Sequence, residues 1–246
     1  MGNFAYFMKR RTAISDLEDA RNRRDFDLLG TLPKCVRPVG ARKANKEENR
    51  RLALKFGAEY FDGTREQGYG GYHYDGRWRR VAERAVRHWQ LRPGSRVLDV
   101  GCAKGFFVND LREALPGLDV VGIDVSDYAL ENAHPHAKPY LSKASCERLP
   151  FADNSFDAVF AINTIHNLDR AGCERALREI ERVCPGRGFV QVDAYRTELE
   201  REVFLEWMLT AKCYDTPMGW LQLFHRAGYS GWHWWTVLQA DEEISR

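Results

Sequence analysis

Val97-Leu98-Asp99-Val100-Gly101-Cys102-Ala103-Lys104-Gly105-Phe106-Phe107 is the stretch that decides the fold of this 246-residue chain. An acidic residue closes a β-branched run, and small residues follow at positions 101, 103 and 105. A buried parallel strand turns into a helix in this way, leaving its backbone bare for a ligand. The next apolar run, Val120-Val121-Gly122-Ile123, ends on a second acid, Asp124. Two strand ends carrying carboxylates, with a small-residue loop between them, make a nucleoside site. A dinucleotide fingerprint needs a third small residue three positions after the second, and bulky Phe106 stands there.

Outward from this core the pattern alternates. Helices over 79–90, 105–115, 126–133 and 170–183 separate strands over 96–100, 119–123, 139–143, 156–162 and 188–193. Helices over 197–212 and 217–226 and a strand over 232–238 follow. Strand and helix in alternation mean a parallel sheet covered on both faces. Upstream, Ser15-Asp16-Leu17-Glu18 reads as a capping box opening a helix over 16–29 that stops at Gly30. Residues 43–56 read as a second, highly charged helix.

Net charge is only +2, but residues 1–56 hold 14 Lys/Arg against 7 Asp/Glu. Such an arm is either a solvated surface or a phosphate contact. Six scattered cysteines without a paired motif argue against a zinc site or a disulfide framework and for a reduced, cytoplasmic protein; no metal is expected. No apolar run has the length of a membrane span. Between 57 and 78, tyrosines at 60, 69, 72 and 74 stand among six glycines. This is an ordinary loop packed by its own aromatics or, as favoured here, a lid with glycine hinges and tyrosine walls. The organisation is therefore a basic extension (1–56), a lid segment (57–78) and a cofactor domain (79–246).

Four motifs in order carry a resemblance. They are Val97–Gly105, Val121-Gly122-Ile123-Asp124, Ala144-Ser145-Cys146-Glu147-Arg148-Leu149-Pro150-Phe151 with Asn154-Ser155-Phe156-Asp157, and Leu177-Arg178-Glu179-Ile180 with Val183-Cys184-Pro185-Gly186. Together they resemble a class I S-adenosylmethionine (SAM)-dependent methyltransferase of the small-molecule type. The resemblance implies a Rossmann-like, seven-stranded, mostly parallel sheet whose last strand is antiparallel. It implies SAM as cofactor, with Gly101, Cys102, Ala103 and Gly105 facing its methionyl part and Asp99 reaching its ammonium. Asp124 would take the ribose hydroxyls and Val125 the adenine face. Ser145, Cys146 and Glu147 would lie along the adenine edge, and Asn163 beside the methyl. Two departures stand out: Ala103 replaces the usual middle glycine, and Ser145 replaces an aspartate that usually takes the adenine amino group.

His166, just past the fourth strand, is the candidate general base, the alternative being a structural histidine. Tyr69 and Tyr72 are candidates to line the acceptor pocket or to pack the core. The expected activity is methyl transfer to oxygen or nitrogen of a small polar metabolite. An RNA methyltransferase using the basic arm, or a non-catalytic SAM-binding module, is the rival. The tryptophans at 207, 220, 232, 234 and 235 read as core, an acceptor wall or a homodimer contact.

Overall fold

The computed structural model of the chain describes residues 24–32, 42–43 and 45–238. Its strands are Arg96–Val100 (β1), Asp119–Asp124 (β2), Leu141–Lys143 (β3), Ala158–Ile162 (β4), Gly188–Asp193 (β5) and Trp232–Thr236 (β6). They form one sheet in the order β3-β2-β1-β4-β5-β6. Its α-helices are Lys46–Ala53 (α1), Ala58–Asp62 (α2), Arg79–His88 (α3), Phe106–Ala114 (α4), Asp127–Glu131 (α5), Arg170–Val183 (α6), Glu198–Trp207 (α7) and Pro217–Ala227 (α8). Local chemistry sets several of their starts. Asp169 accepts from the Gly172 N–H at the head of α6, and Thr216 caps α8 just before Pro217.

The alternation of apolar residues along the strands fills both faces of the sheet. Leu98, Val100, Val159, Ala161, Val190 and Val192 pack under α6 and α8. Val97, Val120, Phe160 and Phe189 pack on the opposite face under α3 and α4. The α/β architecture read from the sequence is therefore present.

The seven-stranded sheet with an antiparallel last strand is not. Six strands form among the described residues, and every neighbouring pair is parallel, β5 with β6 included. The cause is the connection: α8 returns the chain to the end of the sheet where β5 began, so β6 runs the same way. The outer edge of β6 is met by residues 25 and 26. Phe26 N–H donates to the His233 carbonyl at 3.1 Å, and Asp25 Oδ1 lies 2.7 Å from His233 Nε2.

The helix expected over 16–29 falls mostly outside the described residues. Past Arg24, residues 25–32 form that bridge and turns instead, because Phe26 is drawn onto His88, ring centroids 3.8 Å apart. The helix expected over 197–212 stops at Trp207, and residues 208–215 cross the carboxyl end of the sheet. There the N–H groups of Lys212 and Cys213 both donate to the His166 carbonyl.

A cap lies over that end of the sheet. It consists of α1, α2, the glycine-tyrosine segment and α7. Arg42 and Lys46 reach the carboxyl end of α7, and Arg50, at the same spacing of four, reaches the segment just beyond it. Arg42 donates to the carbonyls of Trp207, Gly68 and Arg65; Lys46 to those of Leu205 and Glu206; Arg50 to that of Ala211. Cations are at their most useful there, where the last carbonyls of a helix lack internal partners.

Candidate cofactor site and its lid

The loop after β1 is held open by backbone geometry. Gly101 (φ 75°), Ala103 (φ 49°) and Gly105 (φ 73°) all adopt left-handed conformations. A Cβ on Gly101 would sit 2.3 Å from Thr164 Oγ1, and one on Gly105 2.8 Å from the Ala137 Cβ. Ala103 pays a steric cost there that a glycine avoids. Cys102 is buried beside it.

Asp124 organises the loop. Its Oδ2 accepts from the Ala103 N–H and its Oδ1 from the Ser126 N–H, each at 2.8 Å. Burial raises its pKa while those N–H groups, with that of Val125, pull the other way. A carboxylate oxygen offers two lone pairs, so each retains one outward. Val125 is 49% exposed, an apolar side chain left uncovered beside this acid. Ser145 is exposed and its Oγ accepts from the Glu147 N–H, while Cys146 is buried with a thiol pushed up to about 12 by burial and the charge of Glu147. Glu147 pairs with Arg175 on α6, which fixes this short loop to the core.

Asp99 differs from Asp124. It is 5% exposed, lies in register between Gly122 and Phe160, and its carboxylate accepts no hydrogen bond from any described residue. Burial and the charge of Asp124 push its pKa up to about 8. A buried carboxylate without a donor is incomplete until a cation or donor arrives. A cationic amino-acid tail beside a side-chain-free loop suits it, so the donor set fits SAM.

Residues of the 57–78 segment pack against this loop. Lys104, 5% exposed in the loop itself, donates to both oxygens of Asp62 at 2.7 Å, and Tyr128 Oη donates to Asp62 at 2.6 Å. The Tyr72 N–H donates to the same carboxylate. Burial opposes the charge on Asp62, but these bonds bring its pKa below the usual range. Tyr72 stacks on Phe106 at 4.8 Å, and Tyr69 lies 4.5 Å from Tyr72. The phenol of Tyr72 is raised by burial and then by the charge of Asp99. That of Tyr69, a residue 39% exposed, is raised chiefly by its neighbour Tyr60. Both phenols stay neutral. Nothing in the sequence singled out Asp62 or Lys104; a lysine between the small residues 103 and 105 was the available signal.

On the other side, Asn163, the residue after β4, is in a left-handed conformation (φ 53°) and accepts from Thr236 Oγ1 at 3.1 Å. His166 is 5% exposed on a 3-10 turn, Ile165–Asn167. Its Nδ1 accepts from the Asp193 N–H at 3.1 Å and lies 3.5 Å from the Asp193 carboxylate. A neutral ring bonded this way carries its proton on Nε2, so the lone pair a base needs is already engaged. No group of side chains able to hold a metal exists among the described residues. No described helix is long and apolar enough to cross a membrane.

Such a sheet, with an acid-flanked glycine loop at its mouth, is a Rossmann-like α/β architecture. Residues 98–192 match the family described as the methyltransferase domain, which supports a class I SAM-dependent methyltransferase domain over that stretch, with SAM as the expected cofactor. Over 116 residues it is 33% identical to the malonyl-[acyl-carrier protein] O-methyltransferase of Legionella pneumophila, covering 46% of this chain and 40% of that protein. Over 123 residues it is 33% identical to the ubiquinone/menaquinone biosynthesis C-methyltransferase UbiE of Geotalea uraniireducens, covering 46% and 50%. The chain thus spans about half or less of the length of these curated relatives. The structure of Bacillus subtilis YcgJ is similar over 58% of this chain and 64% of its own, at 19% identity and a TM-score of 0.46.

Proposed function

We propose that the protein transfers a methyl group from SAM to an oxygen or nitrogen of a small polar metabolite. The observation that supports this is the tyrosine cluster held beside the glycine loop by the Asp62–Lys104 pair, which we read as a lid. A closed aromatic lid suits a compact acceptor. A polymer would need an open basic track, and the cations at 42, 46 and 50 are committed to the carbonyls around α7.

Bound SAM supplies a sulfonium methyl, an electrophile that needs no further activation. The chain's part is to bind, align and exclude water. Asp99 takes the ammonium, and the free lone pairs of Asp124 take the ribose hydroxyls. Gly101, Cys102, Ala103 and Gly105 give their bare backbone to the methionyl chain. Val125 and Cys146 flank the adenine, Ser145 meets its edge, and Glu147 braces that loop. Asn163, Tyr69 and Tyr72 border the point where methyl and acceptor meet. His166 holds the floor of the acceptor side through Asp193, and can act as a base only if Nδ1 is released.

Calorimetry with S-adenosylhomocysteine tests the cofactor half. Asp124→Ala should weaken binding by about 1–3 kcal/mol, the cost of leaving hydroxyls unpaired; unchanged affinity overturns the placement. Transfer of radiolabelled methyl from SAM tests the acceptor half. Label is expected in metabolites of low mass, and label in RNA instead overturns it.

A further inference from the structure

We propose that the methyl acceptor is an amine presented as its ammonium, with Asp193 as the specificity residue that holds the charge. This rests on the methyltransferase reading above and narrows its acceptor from oxygen or nitrogen to nitrogen.

The sheet register places the two halves of the reaction on one face. Asp99 is in register with Phe160, and Phe160 with Phe189; Ile162 is in register with Gln191, and Asp193 with Thr236. Laterally paired residues share a face, and side chains alternate along a strand. Asp99, Ile162, Gln191, Asp193 and Thr236 therefore all project from the same side, at or near the carboxyl ends of their strands. The lid spans them. Tyr72 lies within the field of Asp99, Tyr69 within that of Asp124, and Tyr60 within that of Asp193. Tyr60 packs edge-on against Tyr69, ring centroids 5.1 Å apart, and Tyr69 lies 4.5 Å from Tyr72, so the three rings form one continuous surface.

The chemistry at the β5 end is one-sided. Asp193 is only 17% exposed, yet among the described residues no lysine or arginine pairs with it. Its one ion-pairing neighbour is His166 Nδ1, whose lone pair is occupied by the Asp193 N–H. Two residues back on the same face, Gln191 is buried. Its Nε2 donates to Thr236 Oγ1, but its Oε1 has no partner. Thr236 in turn donates to Asn163. Around Asp193 the unspent groups are thus hydrogen-bond acceptors, one of them charged. Arg42, a cation near Tyr60, is engaged with three carbonyls.

A ligand that completes this set brings donors and positive charge, and tyrosine faces add to the attraction for a cation. A carboxylate or phosphate acceptor meets repulsion from Asp193, Asp124 and Asp99. A neutral hydroxyl supplies one donor and no charge. In the reaction the ammonium gives one proton to Asp193, which passes it to solvent, and the freed nitrogen lone pair attacks the methyl carbon. The new C–N bond forms as the C–S bond breaks, its electron pair returning to sulfur. The products are the methylated ammonium and neutral S-adenosylhomocysteine.

The test uses the full chain saturated with S-adenosylhomocysteine and a fixed panel of matched triplets. In each triplet one scaffold, from ethyl to phenylpropyl, carries an ammonium, a hydroxyl or a carboxylate. Thermal shift and calorimetry should rank the ammonium member first, at least tenfold tighter than its hydroxyl partner. Asp193→Asn should erase that preference with S-adenosylhomocysteine affinity unchanged, and Asp193→Glu should restore part of it. The proposal is overturned if hydroxyls or carboxylates rank first, if no ammonium member binds, or if Asp193→Asn keeps the preference. A wild-type chain that does not bind S-adenosylhomocysteine at all would instead sink the parent reading.

Discussion

Asp99 shows how one side chain trades stability for binding. Its carboxyl is raised to about 8 by burial and the charge of Asp124, whereas an unfolded chain releases that proton near the ordinary value of 3.8. The folded chain therefore holds a proton that the unfolded chain has lost, and stability falls as pH rises from about 4 to about 8. Asp99→Asn removes that loss, so its melting temperature at pH 8 should exceed the wild-type value. Its affinity for S-adenosylhomocysteine should fall at least tenfold, because the ammonium loses its counter-charge. In the wild type the ligand prefers the ionised carboxylate, so affinity should climb between pH 6 and 8 with proton release, measured by calorimetry in two buffers. A flat affinity over that range would remove Asp99 from the ammonium site. The neighbouring loop offers a paired comparison. Ala103 sits at φ 49°, where glycine is free of strain, so Ala103→Gly should stabilise by about 0.5–1 kcal/mol in thermal unfolding. Gly101→Ala would bring a Cβ to 2.3 Å from Thr164 Oγ1, a hydroxyl held by its bond to the Ile162 carbonyl, and should abolish cofactor binding.

At the level of elements, the cation triplet on the approach to and along α1 explains why α7 stops where it does. Arg42 satisfies the carbonyls of Trp207, Gly68 and Arg65, and its guanidinium lies 3.7 Å from the Trp207 ring. Arg42→Ala leaves these carbonyls without that donor and should cost on the order of 2–4 kcal/mol, read from the urea midpoint. Lys43→Ala, which breaks only an exposed pair with Glu206, should cost under about 1 kcal/mol. Equal effects would mean that general charge, not the capping of α7, matters. None of this was legible in the sequence, because Arg42 and Trp207 meet across 165 residues and a basic helix looks the same whether solvated or docked. What was legible is local. The strand–loop–helix turn at 97–107 and the acid ending β2 each declare themselves through residues a few positions apart, and both stand where the spacing put them. The direction of β6 was not legible, since Trp232–Thr236 reads identically up or down and only the packing of α8 decides it. His166 was legible as a residue near the site, but its role depends on which ring nitrogen meets Asp193, a contact across 27 residues.

Taken as one body, the molecule joins cap and sheet through few charged points, of which Asp62–Lys104 is the most buried. Lys104 belongs to the loop that follows β1, Asp62 to the cap, and Tyr128 on α5 ties the same carboxylate to the strand end that carries Asp124. Ordering of the loop by a ligand should therefore pass to the cap through this junction. S-adenosylhomocysteine at one hundred times its dissociation constant adds about 2.7 kcal/mol, or roughly 5–10 °C in melting temperature for a chain of this size. With the junction intact, unfolding should stay a single transition, and amide exchange should slow both in the 99–126 loops and across 57–75. Asp62→Ala leaves a buried ammonium without its partner, at a cost of about 3–5 kcal/mol. In that variant the ligand should still slow exchange around 99–126 while residues 57–75 exchange as they do without it. If the ligand protected the cap equally in Asp62→Ala, the coupling would run through another contact, and Arg42 at the α7 end would be the next to remove.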